Sequence, residues 1–118
     1  MNSRAKGKRG ELEAAHLLSE IFGEKFIRGK QYSGSEDSPD VMPANRASDL
    51  AMLHWEVKWT ETFNLYKAME QSKTDSGDHL IPLVLHKRNH AEPVVVVRAS
   101  DLLKMVQLIH NRTVVKVP

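Results

Sequence analysis

The sequence predicts an α/β (α+β) fold in which a mixed central β-sheet is flanked by helices. Apolar residues recur at helical spacing in three segments, and shorter apolar runs typical of strands lie between them. The predicted order is helix, three strands, helix, two strands, helix and strand. With 118 residues, the whole chain (1–118) is expected to form a single domain.

The first half of the chain is predicted to hold one helix and three strands. The helix covers residues 8–22 and ends at Gly23, and its apolar face contains Leu12, Ala14, Ala15, Leu17, Leu18, Ile21 and Phe22. Strands are expected at 25–28, 39–42 and 50–59. The third strand alternates, with Leu53, Trp55, Val57 and Trp59 on one face and His54, Glu56 and Lys58 on the other.

The second half of the chain is predicted to hold two helices and three strands. A helix is expected over 64–76, capped by Thr62 or Asn64 and ended by Gly77. Strands follow at 80–86 and 93–98, and the lack of alternation in Val94–Val97 predicts that both its faces are covered. Ser100 is expected to cap a last helix over 101–110, and a terminal strand is expected over 113–117.

Composition restricts the class of protein. The chain has no cysteine, which excludes a disulfide framework and a thiolate zinc site and fits a reducing cytosol. No apolar run approaches the roughly 18 residues of a membrane span. The basic N-terminus leads into Glu11 and Glu13 rather than into the apolar stretch of a signal peptide. We therefore expect a cytoplasmic protein.

Positive charge is concentrated in two places. The net charge is +2, yet the first ten residues hold four basic side chains and no acid, and Lys87, Arg88 and His90 form a second cluster. Such clusters suit contacts with phosphates. A solvated terminus explains the first cluster equally well.

Glu56-Val57-Lys58 is the first candidate for chemistry. Residues two apart in a strand share a face, so the Glu56 carboxylate and the Lys58 ammonium project side by side. They can be a metal ligand beside a charge that stabilises a transition state, or an ordinary salt bridge. With nine Glu and ten Lys in the chain, chance alone gives roughly 0.8 such pairs, so the pair by itself is weak evidence.

Asp40 and Glu11 strengthen that candidate. Asp40 lies 16 residues before Glu56, and a hairpin between them would bring two carboxylates within reach of one Mg²⁺ ion, unless Pro39-Asp40 merely starts a turn. Glu11 falls inside the apolar arc of its helix, whereas Glu13 lies on the solvated side. A carboxylate there needs a metal or a basic residue at the sheet edge, or else backbone amides near the helix N-terminus.

Several segments resemble one nuclease superfamily in order and spacing. They are Lys6–Glu11 (Lys-Gly-x-x-x-Glu), Arg28–Ser35, Pro39–Val41, Trp55–Lys58, Asn64–Gln71 and Ile81–Asn89. Together they resemble the PD-(D/E)xK nucleases and, among these, the archaeal-type Holliday junction resolvases and their phage relatives. The likeness covers Lys6 to about Val106, and ordered segments are more specific than any single motif.

The resemblance implies a restriction-endonuclease-like PD-(D/E)xK fold and an Mg²⁺-dependent endonuclease that resolves four-way DNA junctions as a homodimer, with Mn²⁺ expected to substitute. Asp40, Glu56 and the Val57 carbonyl would hold Mg²⁺, and Glu11 would help from the first helix. Lys58 would orient the attacking water or steady the charge on the phosphate.

Further roles also follow from the resemblance. Gln71 would position a phosphate or support the metal ligands, and Ser35, or its neighbour Ser33, would be the family's loop serine that matters for cleavage. DNA contacts are expected from Arg4, Lys6, Lys8, Arg9, Arg28, Lys30, Gln31, Ser33, Lys67, Lys87 and Arg88. The sequence leaves the subunit contact open, and its candidates are the exposed parts of the last helix and the Val94–Val97 strand.

Some alternatives stay open at this point. Asp49, seven residues before Glu56, is a rival metal ligand, although its position better suits a charge at the strand edge. Trp55 and Trp59 are expected in the core rather than stacked on bases, and His54 is expected at the edge of its strand rather than in the cleft. The same chemistry could act on flaps, other branched DNA or duplex, and a non-catalytic DNA-binding protein is a further alternative.

Overall fold

The structure, a computed structural model, describes residues 3–29 and 38–112. These ranges contain three α-helices: α1 (Ser3–Phe22), α2 (Leu65–Ser76) and α3 (Leu102–Asn111). They also contain five strands: β1 (Phe26–Arg28), β2 (Val41–Pro43), β3 (Leu53–Trp59), β4 (Ile81–Lys87) and β5 (Val94–Val97). The predicted α/β (α+β) class is confirmed, while the predicted strand over 113–117 lies outside the described residues.

The strands form one mixed sheet in the order β1-β2-β3-β4-β5. β3 and β4 are parallel and the other neighbouring pairs are antiparallel. A parallel pair needs a crossover connection, and α2 supplies it between β3 and β4. The carboxyl ends of β3 and β4 therefore lie together at one end of the sheet, and their amino ends lie together at the other.

Each face of the sheet packs against its own helix. Ala14, Ala15 and Leu18 of α1 join a buried cluster with Trp55 and Leu83 on one face. On the other face, Ala68 and Met69 of α2 pack against Val84. Truncating a fully buried residue such as Leu18 to Ala would cost roughly 2–5 kcal/mol. None of the helices in the described ranges has the length and apolarity that a membrane crossing requires.

Helix and strand boundaries agree with the sequence prediction to within one residue at α2, α3, β1, β4 and β5, and they differ more in other segments. The Asn64 side chain caps α2 by accepting the Lys67 N–H, and Gly77 ends that helix, as predicted. The predicted strand over 50–59 begins instead with a 3-10 helix, Asp49–Met52, which the Ser48 hydroxyl caps. Ser100 does not cap α3: it lies in a second 3-10 helix, Ala99–Asp101, and Asp101 takes the N-cap position.

The burial predictions were wrong at a few apolar positions. Leu12 and Ile21 are exposed because they lie at the rims of the apolar arc of α1 rather than at its centre. Val94 and Val95 are also exposed, so the prediction that β5 is covered on both faces was wrong. β5 is the outermost strand of the sheet formed by residues 3–29 and 38–112, and an uninterrupted apolar run cannot distinguish an edge strand from a central one.

Candidate active site

Asp40 lies directly before β2, where three strands meet. Its N–H donates to the Trp55 carbonyl oxygen (2.8 Å), and its own carbonyl oxygen accepts the Gly29 N–H (2.9 Å). Its Oδ2 accepts the Val57 N–H (2.8 Å). The side chain thus takes the position of a backbone acceptor for β3, and this fixes the carboxylate beside Glu56-Val57-Lys58.

Gly29 permits this approach, a role that the sequence did not reveal. A Cβ added at Gly29 would lie 1.8 Å from the Pro39 carbonyl oxygen, far inside van der Waals contact. Any other residue would displace the segment that carries Asp40. The only signal in the sequence is the presence of a glycine directly after a predicted strand.

Glu56 and Lys58 meet on the face of β3 that α2 covers. Glu56 is 6% exposed, and its Oε1 lies 3.3 Å from Lys58 Nζ. The Lys58 side chain remains 34% exposed. Strand alternation predicted this side-by-side arrangement, and the structure adds that the carboxylate is buried while the ammonium reaches solvent.

The Asp40 carboxyl holds its proton to an unusually high pH. Burial, followed by the negative charge of Glu56, raises the pKa of Asp40 from 3.8 to about 7. Glu11 raises it further, while the Val57 N–H and the Lys58 ammonium act in the opposite direction. These favourable contacts do not compensate for the removal of the charge from water.

The pKa of Glu56 is also raised above its usual value. Burial is the largest cause, and the charges of Asp75 and Glu11 add to it. Lys58 lowers this pKa through its charge and its hydrogen bond. Asp75, on α2, was not among the predicted site residues. Raised pKa values at neighbouring carboxyls are typical of functional sites.

Glu11 has a partner on the α1 side of the sheet. Its Oε1 accepts the Nε–H of Arg28 (2.9 Å), and the two side chains are only 12% and 14% exposed. Of the partners considered for Glu11, the structure therefore supplies a basic residue at the sheet edge. Arg28, predicted to contact DNA, is engaged in this ion pair. Within 3–29 and 38–112 no group of three or more His, Asp or Glu side chains is arranged to hold one metal ion.

Two clefts adjoin the carboxyl end of β3. Lys58, Lys67 and Gln71 line a cleft of about 250 Å³. A second cleft, of about 230 Å³, is lined by Arg9, Lys87 and Arg88 together with Trp59 and Glu13. Thr60 lines both, so four of the predicted DNA contacts lie around one residue: Arg9, Lys67, Lys87 and Arg88.

The basic β4–β5 turn is tied to the end of β3. The Thr60 N–H donates to the Lys87 carbonyl oxygen (3.0 Å), and His86 Nε2 donates to the Thr60 carbonyl oxygen (3.0 Å). The Asn89 N–H donates to Glu61 Oε1 (3.1 Å). Thr60 and Glu61 were not predicted to matter, because contacts between residues more than 25 positions apart leave no local pattern in a sequence.

Other predicted residues are placed as follows. Trp55 is buried in the core and Trp59 packs against it, which confirms the core prediction for both. His54 is 1% exposed beneath α2, so its predicted place at the strand edge was wrong. Asp49 is exposed in the 3-10 helix before β3, and Lys8 is exposed on α1. The side chains of Arg4 and Lys6, and the residues Lys30, Gln31, Ser33 and Ser35, lie outside the described part.

A scan of the sequence against protein families matches residues 2–117 to the family described as "Phage putative PDDEXK endonuclease". The chain belongs to this family. The match confirms the PD-(D/E)xK part of the resemblance, and with it a nuclease, while the family description names no DNA substrate. Searches of curated proteins and of solved structures gave no significant match.

PDDEXK nucleases generally use divalent metal ions, and the residues present fit such an ion. Asp40 and Glu56 offer hard oxygen ligands on adjoining segments, and Mg²⁺ and Mn²⁺ both prefer such oxygens. Burial, together with negative charge that the surrounding residues leave partly uncompensated, raises the pKa of both carboxyls. A divalent cation would compensate it, and Lys58 beside them cannot compete for coordination.

Proposed function

We propose that this PDDEXK protein is an Mg²⁺-dependent endonuclease that resolves four-way DNA junctions as a homodimer. The observation that carries the chemistry is the meeting of two carboxyls of raised pKa, Asp40 and Glu56, with the ammonium of Lys58. The junction as substrate is supported by the ordered segments, from Lys6–Glu11 to Ile81–Asn89, that resemble the resolvases.

In this proposal Asp40 and Glu56 hold the metal. The Val57 carbonyl is expected to be a further ligand, and Glu11 to help when it leaves Arg28. The bound ion would supply positive charge beside the scissile phosphate and lower the pKa of a bound water. The Val57 N–H keeps the Asp40 carboxylate oriented, because it already occupies Oδ2.

Lys58 acts on the reacting groups without binding the metal. Its ammonium is held by Glu56 yet reaches the cleft that Lys67 and Gln71 also line. It orients the attacking water or donates to a non-bridging phosphate oxygen as negative charge develops there. Gln71 and Lys67 bind the neighbouring phosphate, which sets the register of the strand that is cut.

The two clefts that meet at Thr60 support a path for the DNA backbone. Phosphates recur along a strand, so a binding surface needs cations at intervals rather than one deep pocket. Lys67 lies on one side of Thr60, and Arg9, Lys87 and Arg88 lie on the other. The hydrogen bonds that tie the β4–β5 turn to β3 keep these cations at fixed positions relative to Lys58.

A second copy of the chain would cover the outer side of β5 and α3. Junction resolution needs two nicks, and two active sites related by a two-fold axis match that need. Leu103 of α3 is 66% exposed, and Leu102, Val106, Val94 and Val95 are also exposed. An outer strand can pair antiparallel with its own copy about a two-fold axis, which gives a self-complementary contact.

The test is cleavage of a labelled four-way junction in Mg²⁺, analysed for paired nicks that leave 5′-phosphate and 3′-hydroxyl ends. Wild type should cut, Lys58→Ala should not, and Lys25→Ala, which changes an exposed lysine outside both clefts, should match wild type. A wild-type protein that cuts no DNA with any divalent metal would contradict the nuclease. Faster cleavage of a linear duplex or a flap at equal concentration would contradict the junction as substrate.

A further inference from the structure

A third cleft lies at the opposite end of the sheet from the candidate active site. It measures about 310 Å³, and its lining includes Met52, Lys73, Ile81, Arg98 and Lys104. Met52 directly precedes β3 and Ile81 opens β4, so this is the amino end of the parallel pair. Lys58 lies six positions along the strand from Met52, which corresponds to about 20 Å. We call it the amino-end cleft.

The amino-end cleft gathers basic residues from three separate segments. Lys73 comes from α2, Arg98 from the residue after β5, and Lys104 from α3. Lys73 and Lys104 form no ion pair with any residue of the described ranges. Two acids, Asp78 and Asp101, also line the cleft, and the carboxylate of the second is already engaged.

Asp101 holds Arg98 in a fixed orientation. It is 5% exposed, and its Oδ2 accepts the Nε–H of Arg98 (2.7 Å). Asp101 occupies the N-cap position of α3, yet its side chain makes no capping hydrogen bond. The buried carboxylate therefore orients the Arg98 guanidinium and does not cap the helix. The terminal nitrogens of Arg98 donate no hydrogen bond to the described residues, and their planar fork matches the oxygens of a phosphate.

We propose that the amino-end cleft binds the phosphate backbone of a second DNA arm while the active site acts on the first. This inference rests on the proposed function, because a branched substrate offers a second arm to the end of the sheet that lies away from the active site. Cations spread over three segments suit a chain of phosphates better than a small anion, which would need converging donors. Arg98 is the anchor, with Lys73 and Lys104 beside it and Asp101 as its positioning residue.

The experiment measures binding in EDTA, where hydrolysis does not occur, to a four-way junction and to a linear duplex of equal length. Lys73→Glu and Lys104→Glu are tested singly and together. Lys25→Glu is the matched control, with the same charge change near β1 at the other edge of the sheet. Circular dichroism and thermal unfolding of every variant show whether the fold is intact.

Each reversal in the cleft should weaken junction binding about tenfold at 0.1 M salt and reduce the slope of log K against log salt by about 1. Binding of the linear duplex and all binding by Lys25→Glu should change less than about twofold. Arg98→Lys, which keeps the charge but loses the fork, should weaken junction binding about threefold.

Two results would overturn the inference: unchanged junction binding in both cleft variants, or an equal loss for junction and duplex. The proposed function fails separately, through the absence of wild-type cleavage in Mg²⁺. Because phosphate binding needs no hydrolysis, the measurement in EDTA decides the role of the cleft even when cleavage is absent.

Discussion

Glu56 and Asp101 are buried to nearly the same degree, 6% and 5% exposed, yet they stand in different electrostatic surroundings. Each pairs with a basic residue close in sequence: Glu56 with Lys58 at 3.3 Å, and Asp101 with Arg98 at 2.7 Å. Glu56 also faces acidic neighbours, and its charge in turn raises the pKa of Asp40. Asp101 stands in a pair of one carboxylate and one guanidinium.

This difference separates two uses of a buried charge. A matched pair can orient a side chain and contribute to the fold. Carboxylates in excess oppose the fold until a cation binds, so they persist where a function requires them. The excess of carboxylates lies at the carboxyl end of β3, and the matched pair lies at the α3 N-terminus.

The largest expected effect of removing a charge from either region is on catalysis. Glu56→Gln should reduce the single-turnover rate of junction cleavage in Mg²⁺ by about 10³-fold or more, because a neutral amide is a poor ligand for the ion, corresponding to about 4 kcal/mol. Asp49→Asn, which changes an exposed carboxylate, should stay within about threefold of wild type. Loss of activity in Asp49→Asn with activity kept in Asp40→Asn would reassign the metal ligand.

The two regions should respond oppositely in stability. In EDTA at pH 8, Asp101→Asn should lower the free energy of unfolding by about 1–3 kcal/mol, because Arg98 loses its charged partner. Asp40→Asn should raise it by about 2 kcal/mol, since the amide oxygen still accepts the Val57 N–H while the cost of burying a charge and the repulsion from Glu56 both disappear. Urea unfolding measures both, and a fall in stability for Asp40→Asn would mean that its charge is already compensated.

The titration of Asp40 makes both stability and metal affinity depend on pH. The pKa of Asp40 is raised to about 7, so protonated Asp40 contributes to the free energy of unfolding. This contribution is complete below pH 3.8 and is lost as the pH rises through about 7. A proton on Asp40 also competes with the metal. Mn²⁺ affinity should therefore rise about tenfold between pH 6 and pH 8, measured by titration calorimetry. Equal affinity at both pH values would contradict Asp40 as a ligand whose proton the ion displaces.

The smallest effect concerns Glu11, whose charge is matched by Arg28. Arg28→Gln would release the Glu11 carboxylate and make its surroundings more like those of Glu56. Mn²⁺ affinity should rise about twofold to threefold, as expected for one added negative charge near a solvent-screened site. Unchanged affinity, measured in the same titration, would leave Glu11 a structural partner of Arg28 and remove it from the ligand set.

Alternation in β3 was enough to predict which residues share a face, and so it predicted the meeting of Glu56 and Lys58 and the burial of Trp55. It could not predict the burial of His54, because alternation does not say whether a helix covers the polar face. α2 covers the first half of that face, and the Ser72 hydroxyl reaches the His54 carbonyl oxygen there. The same limit applies to β5, whose four valines do not reveal that it is the outer strand among those that the structure describes.

The candidate site was predicted in its residue types and only in part in its contacts. Periodicity placed Glu11 on the packed side of its helix, and the structure supplies Arg28, one of the partners that the sequence left open. The hydrogen bond from Val57 to Asp40, the charge of Asp75 and the ties from Thr60 to the β4–β5 turn all join distant parts of the chain. Such contacts are set by the way the strands and helices assemble, which one sequence does not record.

Gly29 has a consequence for how this protein can vary. The position of an acidic residue that the chemistry needs depends on a neighbour with no side chain, no charge and no role in any proposed step. In a saturation mutagenesis screen for cleavage, position 29 should tolerate almost no replacement, since even one methyl group meets the Pro39 carbonyl. A position can thus be as intolerant of replacement as the reactive residues, although its whole role is to have no side chain where two backbone segments approach.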